Sequence, residues 1–154
     1  MSGAPPRILV DADACPVNEE IYRVAERLGV AVTVVSNSPL RVPALPLFTR
    51  VVVGAGFDAA DDWIAEAAGG DAVVVTADTL LADRCLKAGA AVIAPNGRPF
   101  TTASIGNAVA VRAIMSDLRA GGDRVGGPPP FGRQDRSRFL SALDEALVKL
   151  LRRR

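Results

Sequence analysis

Aspartate side chains follow three apolar runs of this chain, close to where each run ends. Asp11 and Asp13 come directly after Arg-Ile-Leu-Val, and Asp78 comes just beyond Val-Val-Val-Thr. Asp58 and Asp61 follow Val-Val-Val-Gly-Ala-Gly-Phe. Carboxylates that converge repel one another and raise one another's pKa unless a cation lies among them. Since hard divalent ions prefer oxygen ligands, the pattern predicts a site for Mg²⁺ or Mn²⁺.

These aspartates converge only if the apolar runs are neighbouring parallel strands. Continuous apolar runs without polar alternation are typical of strands buried on both faces, and the sequence has five, at residues 7–10, 31–35, 51–53, 73–76 and 91–94. Helical patterns alternate with them, at 16–28, 61–68, 80–88, 104–118 and about 135–151. This alternation favours an α/β fold with a doubly wound sheet, in which ligands bind beyond the carboxyl ends of the strands.

The 154 residues fit a single domain, with a Gly- and Pro-rich loop at 121–132 before the last helix. No apolar run approaches the roughly 20 residues that span a bilayer, and no signal-peptide pattern is evident, so we expect no membrane contact. Two cysteines, Cys15 and Cys85, favour a cytoplasmic protein without a disulfide framework. The sequence does not fix the oligomeric state, and a homo-oligomer is compatible with it.

The composition excludes several kinds of catalysis. The chain contains no histidine, which removes Ser-His-Asp and Cys-His catalysis and the usual zinc sites. Residues 1–83 carry 5 basic and 12 acidic side chains, whereas residues 84–154 carry 13 basic and 5 acidic side chains. The division favours an acidic centre beside a basic surface that attracts a polyanion. The alternative, that the basic residues only solvate the C-terminal helices, stays open.

Four polar side chains are predicted to contact substrate phosphates. Arg133 and Arg136 follow Gly-Gly-Pro-Pro-Pro-Phe-Gly, in which prolines stiffen the chain and glycines let it approach a partner closely. A guanidinium binds phosphate through two hydrogen bonds. Arg112 belongs to the predicted helix at 104–118, and Asn37 ends the second strand. For the segment with Arg133 and Arg136 the alternative is a tight connector with Asp135 as a capping residue, and for Asn37 it is a role in a turn.

Five motifs resemble the YaiI/YqxD family of bacterial proteins over nearly the whole chain. They are Asp-Ala-Asp-Ala-Cys-Pro at 11–16, Gly-Phe-Asp-Ala-Ala-Asp at 56–61, Thr-Ala-Asp at 76–78, Gly-Gly-Pro at 126–128 and Gln-Asp-Arg at 134–136. That family is regarded as PIN-like. The resemblance therefore implies a three-layer domain over residues 1–154, with a mainly parallel five-stranded sheet of order 3-2-1-4-5 flanked by helices, and a metal-dependent nuclease ancestry.

The resemblance also implies roles for individual carboxylates. Asp11, Asp61 and Asp78 match the PIN-type metal carboxylates, and Asp13 and Asp58 would support them. PIN-type enzymes place a further acid after the fourth strand, where only Asp83 lies nearby, earlier than the pattern expects.

The sequence therefore predicts a Mg²⁺- or Mn²⁺-dependent nuclease that favours RNA. Its catalytic residues would be Asp11, Asp13, Asp61 and Asp78; its metal ligands Asp11, Asp58, Asp61 and Asp78; and its substrate contacts Asn37, Arg112, Arg133 and Arg136. A non-catalytic RNA- or nucleotide-binding module and a metal-dependent phosphatase are the alternatives. A Gly-x-Gly-x-x-Ala dinucleotide motif at 54–59 is weaker, because the aspartates beside it would repel a pyrophosphate.

Overall fold

A computed structural model describes residues 5–12, 15–39, 41–54, 59–106 and 131–152. Its centre is a six-stranded sheet with the order β3-β2-β1-β4-β5-β6. The strands are β1 (Arg7–Asp11), β2 (Ala31–Ser36), β3 (Phe48–Val52), β4 (Ala72–Val75), β5 (Ala91–Ile93) and β6 (Pro99–Phe100). The predicted order of five parallel strands is confirmed, and β6 extends it by one short antiparallel strand.

Four labelled helices follow the chain between and after the strands. They are α1 (Asn18–Leu28), α2 (Ala59–Ala67), α3 (Thr79–Lys87) and α4 (Arg133–Arg152), and residues 102–106 form a further short helical segment. Four of the five predicted helices therefore match to within two residues at both ends. Most of the fifth, at 104–118, lies outside the described residues, as does most of the predicted loop at 121–132.

The sheet separates two apolar cores because successive strand residues point to opposite faces. Ile8 and Val10 of β1 pack with α1 and α4, whereas Leu9 packs with α2 and α3. All three side chains are fully buried. Burying each of them stabilises the fold by about 1.5–3 kcal/mol. The result is a three-layer α/β arrangement consistent with the PIN-like expectation.

Helix α4 closes one face of the sheet through a single apolar stripe. Phe139, Leu143 and Leu147 recur every four residues, and none is exposed to solvent. The turn between β5 and β6 packs directly on this helix. A Cβ atom at Gly97 would lie 2.6 Å from the carbonyl carbon of Arg138, so only glycine allows this close approach.

Among the helices of the described residues, none combines the length and the apolar character needed to cross a membrane.

Candidate functional site

The crevice between β1 and β4 lies where the chain connections leave the sheet in opposite directions. β1 pairs in parallel with β2 on one side and with β4 on the other. Asp11 is the last residue of β1. Val10 pairs with Val75, the last residue of β4, so Thr76 follows directly after β4 and lies next to Asp11. Ligands of open α/β sheets bind at such a point, beyond the carboxyl ends of the strands.

Thr76 links two of the predicted carboxylate residues. Its Oγ1 donates a hydrogen bond to Asp11 Oδ2 (2.8 Å) and accepts one from the backbone N–H of Asp78 (3.0 Å). The residue is only 2% exposed. Thr76 belongs to one of the sequence motifs, but no role was predicted for it. The available signal was a hydroxyl residue directly after a fully apolar strand, where a buried polar group needs hydrogen-bond partners.

Asp78 is the N-cap of α3. Its Oδ1 accepts hydrogen bonds from the backbone N–H groups of Leu80 (2.8 Å) and Leu81 (3.2 Å). The cap satisfies two amides of the first helical turn, and the helix dipole favours a negative charge at that position. Thr76 and α3 together therefore hold Asp78 beside the carboxyl end of β1.

Cys15 lies near Asp11 and is partly buried against the α1 core. Burial raises the pKa of the Cys15 thiol, and the negative charges of Asp11 and Glu20 raise it further. A hydrogen bond from the backbone of Val17 acts in the opposite direction. The net increase in pKa favours the protonated thiol, and the Cys15 side chain packs against the apolar core beside α1.

Asp61 lies on the first turn of α2, within electrostatic range of α3. Burial raises the pKa of Cys85 to about 11, and the charges of Arg84 and Asp61 act on it in opposite directions. Neighbouring acidic residues form ion pairs: Asp62 contacts Arg84 at 2.9 Å, and Asp83 contacts Lys87 at 2.9 Å.

The donor atoms at the crevice agree in kind with a hard divalent ion. Asp11 and Asp78 provide carboxylate oxygens, and Mg²⁺ typically binds one or two carboxylates and retains several waters. Within the described ranges, no group of three or more His, Cys, Asp or Glu side chains could hold a metal ion. Asp11, Asp61 and Asp78 thus do not form such a group by themselves. Asp13 and Asp58 lie outside the described residues.

The Arg136 guanidinium contacts other residues of the protein, although 43% of the side chain is exposed. One guanidinium nitrogen, Nη1, donates to the carbonyl oxygen of Pro16 (2.8 Å) and to Glu20 Oε1 (3.1 Å), while the group lies 5.0 Å from the ring centre of Phe131. These contacts join the start of α4 to the start of α1. Of the two arginines predicted on this helix, Arg133 is the exposed one.

The remaining predicted contacts lie elsewhere. Asn37 Nδ2 donates to the carbonyl oxygen of Gly54 (3.3 Å), which ties together the chain segments that follow β2 and β3. Arg112 lies outside the described residues. A cavity of about 660 Å³ lies between α4 and the β5–β6 edge, and its lining residues include none of the predicted aspartates.

Comparison with known proteins assigns the family. The family model described as "Uncharacterized BCR, YaiI/YqxD family" matches residues 9–149. The chain belongs to the YaiI/YqxD family. The matched residues of this YaiI/YqxD protein include Asp11, Thr76 and Asp78, so the whole crevice lies within the family's common region.

Several bacterial relatives are similar to this YaiI/YqxD chain over almost their full length. A UPF0178 protein of Sphingopyxis alaskensis is 72% identical over 148 residues, covering 96% of each chain. A UPF0178 protein of Nitrobacter winogradskyi is 61% identical, covering 95% of this chain and 93% of its own. One of Bradyrhizobium diazoefficiens is 60% identical, covering 100% and 92%. No solved structure matches the chain significantly.

Proposed function

We propose that this protein is a Mg²⁺- or Mn²⁺-dependent nuclease that hydrolyses phosphodiester bonds, with RNA as the favoured substrate. One observation carries the proposal: the Thr76 hydroxyl couples the Asp11 carboxylate to Asp78 at the topological switch point of the sheet. If Asp78 served only as a helix cap, the Asp11 carboxylate would not be needed beside it. A cation site requires such a second carboxylate, and the buried Thr76 hydroxyl holds it in place.

Asp11 and Asp78 would hold the ion, with Asp61, Asp13 and Asp58 as the further acidic residues of the proposal. When bound, such an ion supplies Lewis-acid activation of water and neutralises charge on a phosphodiester. The absence of histidine from the sequence argues against the usual His-bearing zinc sites.

The protein's own residues would pre-organise this site. The hydrogen bond from Thr76 fixes one oxygen of Asp11. The backbone amides of Leu80 and Leu81 both bind Oδ1 of Asp78, so the second oxygen of that carboxylate is the one suited to a ligand. Because these contacts fix the side chains beforehand, little reorganisation would accompany binding.

The basic half of the chain would bind the substrate backbone. Arg133 is exposed at the start of α4 and is the best-placed of the predicted arginines, while Arg112 and Asn37 remain proposed contacts. Arg136 would act indirectly, by holding the start of α4 against α1. RNA as substrate also agrees with a cytoplasmic location, in which Cys15 and Cys85 stay reduced.

The decisive experiment compares cleavage of end-labelled RNA and DNA with Mn²⁺, Mg²⁺ or EDTA. We expect the wild type to cleave RNA only with a metal and Asp11→Asn to lose at least about 100-fold in rate, as is usual for a residue of the reacting centre. Asp144→Asn is the matched control, because Asp144 lies on α4 in an exposed ion pair with Arg27. Equal metal-dependent rates in Asp11→Asn and wild type would refute the assignment.

A second variant separates the two roles of Asp78. Serine is a good N-cap, so Asp78→Ser should keep α3 folded while removing the carboxylate. We expect unchanged stability with lost cleavage. Stability and cleavage that both survive in Asp78→Ser would leave only the capping role.

One observation favours a non-catalytic RNA-binding module as the second candidate: the described residues lack a three-carboxylate group. In that case no metal would give cleavage, and Asp11→Asn would bind RNA as well as wild type or better, because a repulsive charge is removed. Binding in EDTA, measured alongside cleavage, distinguishes the two functions.

A further inference from the structure

The turn between β5 and β6 lies close to the crevice and carries an arginine. The backbone N–H of Thr76 donates to the carbonyl oxygen of Ile93, the last residue of β5 (3.3 Å). The chain then turns through residues 94–98 and returns as β6. Arg98 therefore lies at the same end of the sheet as Asp11, beyond the carboxyl ends of the parallel strands. The two residues are three strands apart, or roughly 14 Å at about 4.8 Å per strand.

Several contacts fix this turn in place. Asn96 Oδ1 accepts a hydrogen bond from the backbone N–H of Arg98 (3.0 Å), and the carbonyl oxygen of Arg98 accepts one from Ala94 (2.9 Å). Gly97 has a positive φ of 89° and approaches the backbone of Arg138 more closely than any side chain would allow. Arg98 is thus held beside the second turn of α4.

That part of α4 contributes two more cations. Arg138 is 59% exposed, and its contact with Asp135 is a long one of 3.6 Å. The other oxygen of Asp135 accepts the backbone N–H of Gly132 (2.9 Å), so the carboxylate is anchored to the loop before α4. Arg133 is exposed one turn earlier. Among the residues that the structure describes, no ion pair is formed by Arg98 or Arg133.

We propose that Arg98, Arg133 and Arg138 form an arginine rim that binds the phosphodiester backbone of a nucleic acid whose scissile bond reaches Asp11 and Asp78. This inference rests on the proposed function and adds to it the path of the substrate. Arg98 and Arg138 carry no role in the sequence-based prediction. Arg98 lies roughly 14 Å from Asp11 at the level of the strands. That separation exceeds one Debye length, about 8–10 Å at physiological ionic strength, so the acidic crevice does not neutralise the charge of Arg98.

Binding in EDTA tests the rim separately from catalysis. The full chain is titrated against fluorescein-labelled single-stranded RNA, and in a parallel series against an RNA duplex, from about 50 to 200 mM salt. Arg98→Gln with Arg138→Gln should make the log–log salt dependence for single strands less steep by about 1.4, or about 0.7 for each lost phosphate contact. Arg98→Lys should keep the wild-type slope, because it retains the charge.

The matched control is Arg27→Gln with Lys87→Gln, which removes the same charge. These residues lie at the ends of α1 and α3, near the amino ends of the strands and away from the crevice. Circular dichroism verifies that all variants are folded. Equal slopes in the rim and control variants, or no binding of either nucleic acid by the wild type at low salt, would overturn the rim. A loss confined to single strands, or one shared by the duplex, supports it and identifies the form that is bound.

Cleavage by the same proteins separates the two proposals. Suppose that the rim variants lose RNA binding but the wild-type protein cleaves RNA with none of the metals. The arginine rim is then supported, and the proposed nuclease activity is refuted. If cleavage depends on Asp11 while the rim variants show wild-type binding slopes and KM, the nuclease stands and the rim fails.

Discussion

The Thr76 hydroxyl serves as donor to one aspartate and acceptor for another, and valine has the same shape without that capacity. Thr76→Val would leave Asp11 Oδ2 and the Asp78 N–H without this partner at a position that is 2% exposed. We expect the free energy of unfolding to fall by about 1–3 kcal/mol, as measured by urea denaturation. Metal-dependent cleavage should also fall, because the Asp11 carboxylate loses the hydrogen bond that orients it and the backbone of Asp78 loses its contact with the same hydroxyl.

Thr76→Ser is the matched control for this change. Serine retains the hydroxyl and loses only a methyl group, so it should retain most cleavage. Loss of cleavage in both variants, or in neither, would show that the hydroxyl does not position Asp11 and Asp78 for cleavage.

Cys15 reports on the charge of Asp11. Burial raises the pKa of this thiol, and Asp11 adds to the increase. Asp11→Asn removes that negative charge, so the pKa of Cys15 should decrease while burial still keeps it above its ordinary value. Because the thiolate is the reactive form, alkylation by iodoacetamide in EDTA should begin at a lower pH in the variant.

Peptide mass spectrometry distinguishes Cys15 from the buried Cys85 in this assay. Asp71→Asn is the control, because Asp71 lies at the amino end of β4, at the opposite end of the strands from Asp11, and pairs with Arg7. An alkylation profile that is identical in Asp11→Asn and wild type would show that the Asp11 charge does not act on Cys15.

At the scale of single residues, the sequence predicts which side chains are candidates for the site but not which atoms they contact. Asp11 and Asp78 could be predicted as site residues because acidic residues at strand ends are visible in the sequence. The role of Thr76 depends on the register between β1 and β4, which the sequence does not specify. Arg136 remains a predicted substrate contact. Its partners Pro16 and Glu20 were not predicted, because they are more than 100 residues away in the chain.

Gly97 and Gly29 allow two effects of replacing glycine to be compared, namely backbone strain at positive φ and steric overlap of the added Cβ atom. Both have positive φ, 89° and 69°, but only Gly97 has backbone atoms within 3 Å of where a Cβ would lie. Gly29→Ala should therefore reduce the free energy of unfolding by about 1–2 kcal/mol through backbone strain. Gly97→Ala should reduce it by roughly 3 kcal/mol, because overpacking adds about 1–3 kcal/mol.

Urea denaturation of the two variants provides the measurement. Equal losses of stability would mean that the β5–β6 turn does not press against α4 in solution, and the placement of Arg98 beside Arg138 would lose its support.

The helices and strands were predictable where apolar periodicity is strong. β1, β2, β4 and β5 lie where the buried runs predicted them. β3 begins at Phe48, three residues earlier than predicted, because this edge strand includes polar residues that the apolar pattern does not mark. β6 was missed because it has two residues and starts with proline, which is rare within strands.

Arg136 stabilises the packing of the start of α4 against the start of α1. Arg136→Ala would leave the largely buried Glu20 carboxylate without this cation. We expect a loss of about 2 kcal/mol in the free energy of unfolding, less than the roughly 3–5 kcal/mol for a fully buried pair, because 43% of the Arg136 side chain is exposed. Denaturant unfolding monitored by circular dichroism measures it.

Arg27→Ala is a matched control between the same two helices. Its ion pair with Asp144 is exposed, and such pairs contribute less than about 1 kcal/mol. Equal losses in the two variants would mean that Arg136 behaves as a surface residue and that the apolar stripe of α4 alone holds the helix.

For the whole molecule, the sequence supported the α/β class by itself, but not the order of the strands. Alternating strands and helices are compatible with several doubly wound orders, and the order 3-2-1-4-5 came from the resemblance to the YaiI/YqxD family. The docking of α4 on α1 was not predicted, because it depends on contacts between the beginning and the end of the chain.

The hydrogen bonds around Thr76 also separate folding from metal loading. Asp11 and the N–H group of Asp78 already have a protein partner, and Oδ1 of Asp78 is bound by helix amides. The fold thus does not depend on an ion to bring these residues together, in contrast to small zinc domains that unfold when chelated. We expect the melting curve in EDTA to remain a single cooperative transition with native circular dichroism below it. Unfolding on chelation would mean that the ion is a structural part of the protein.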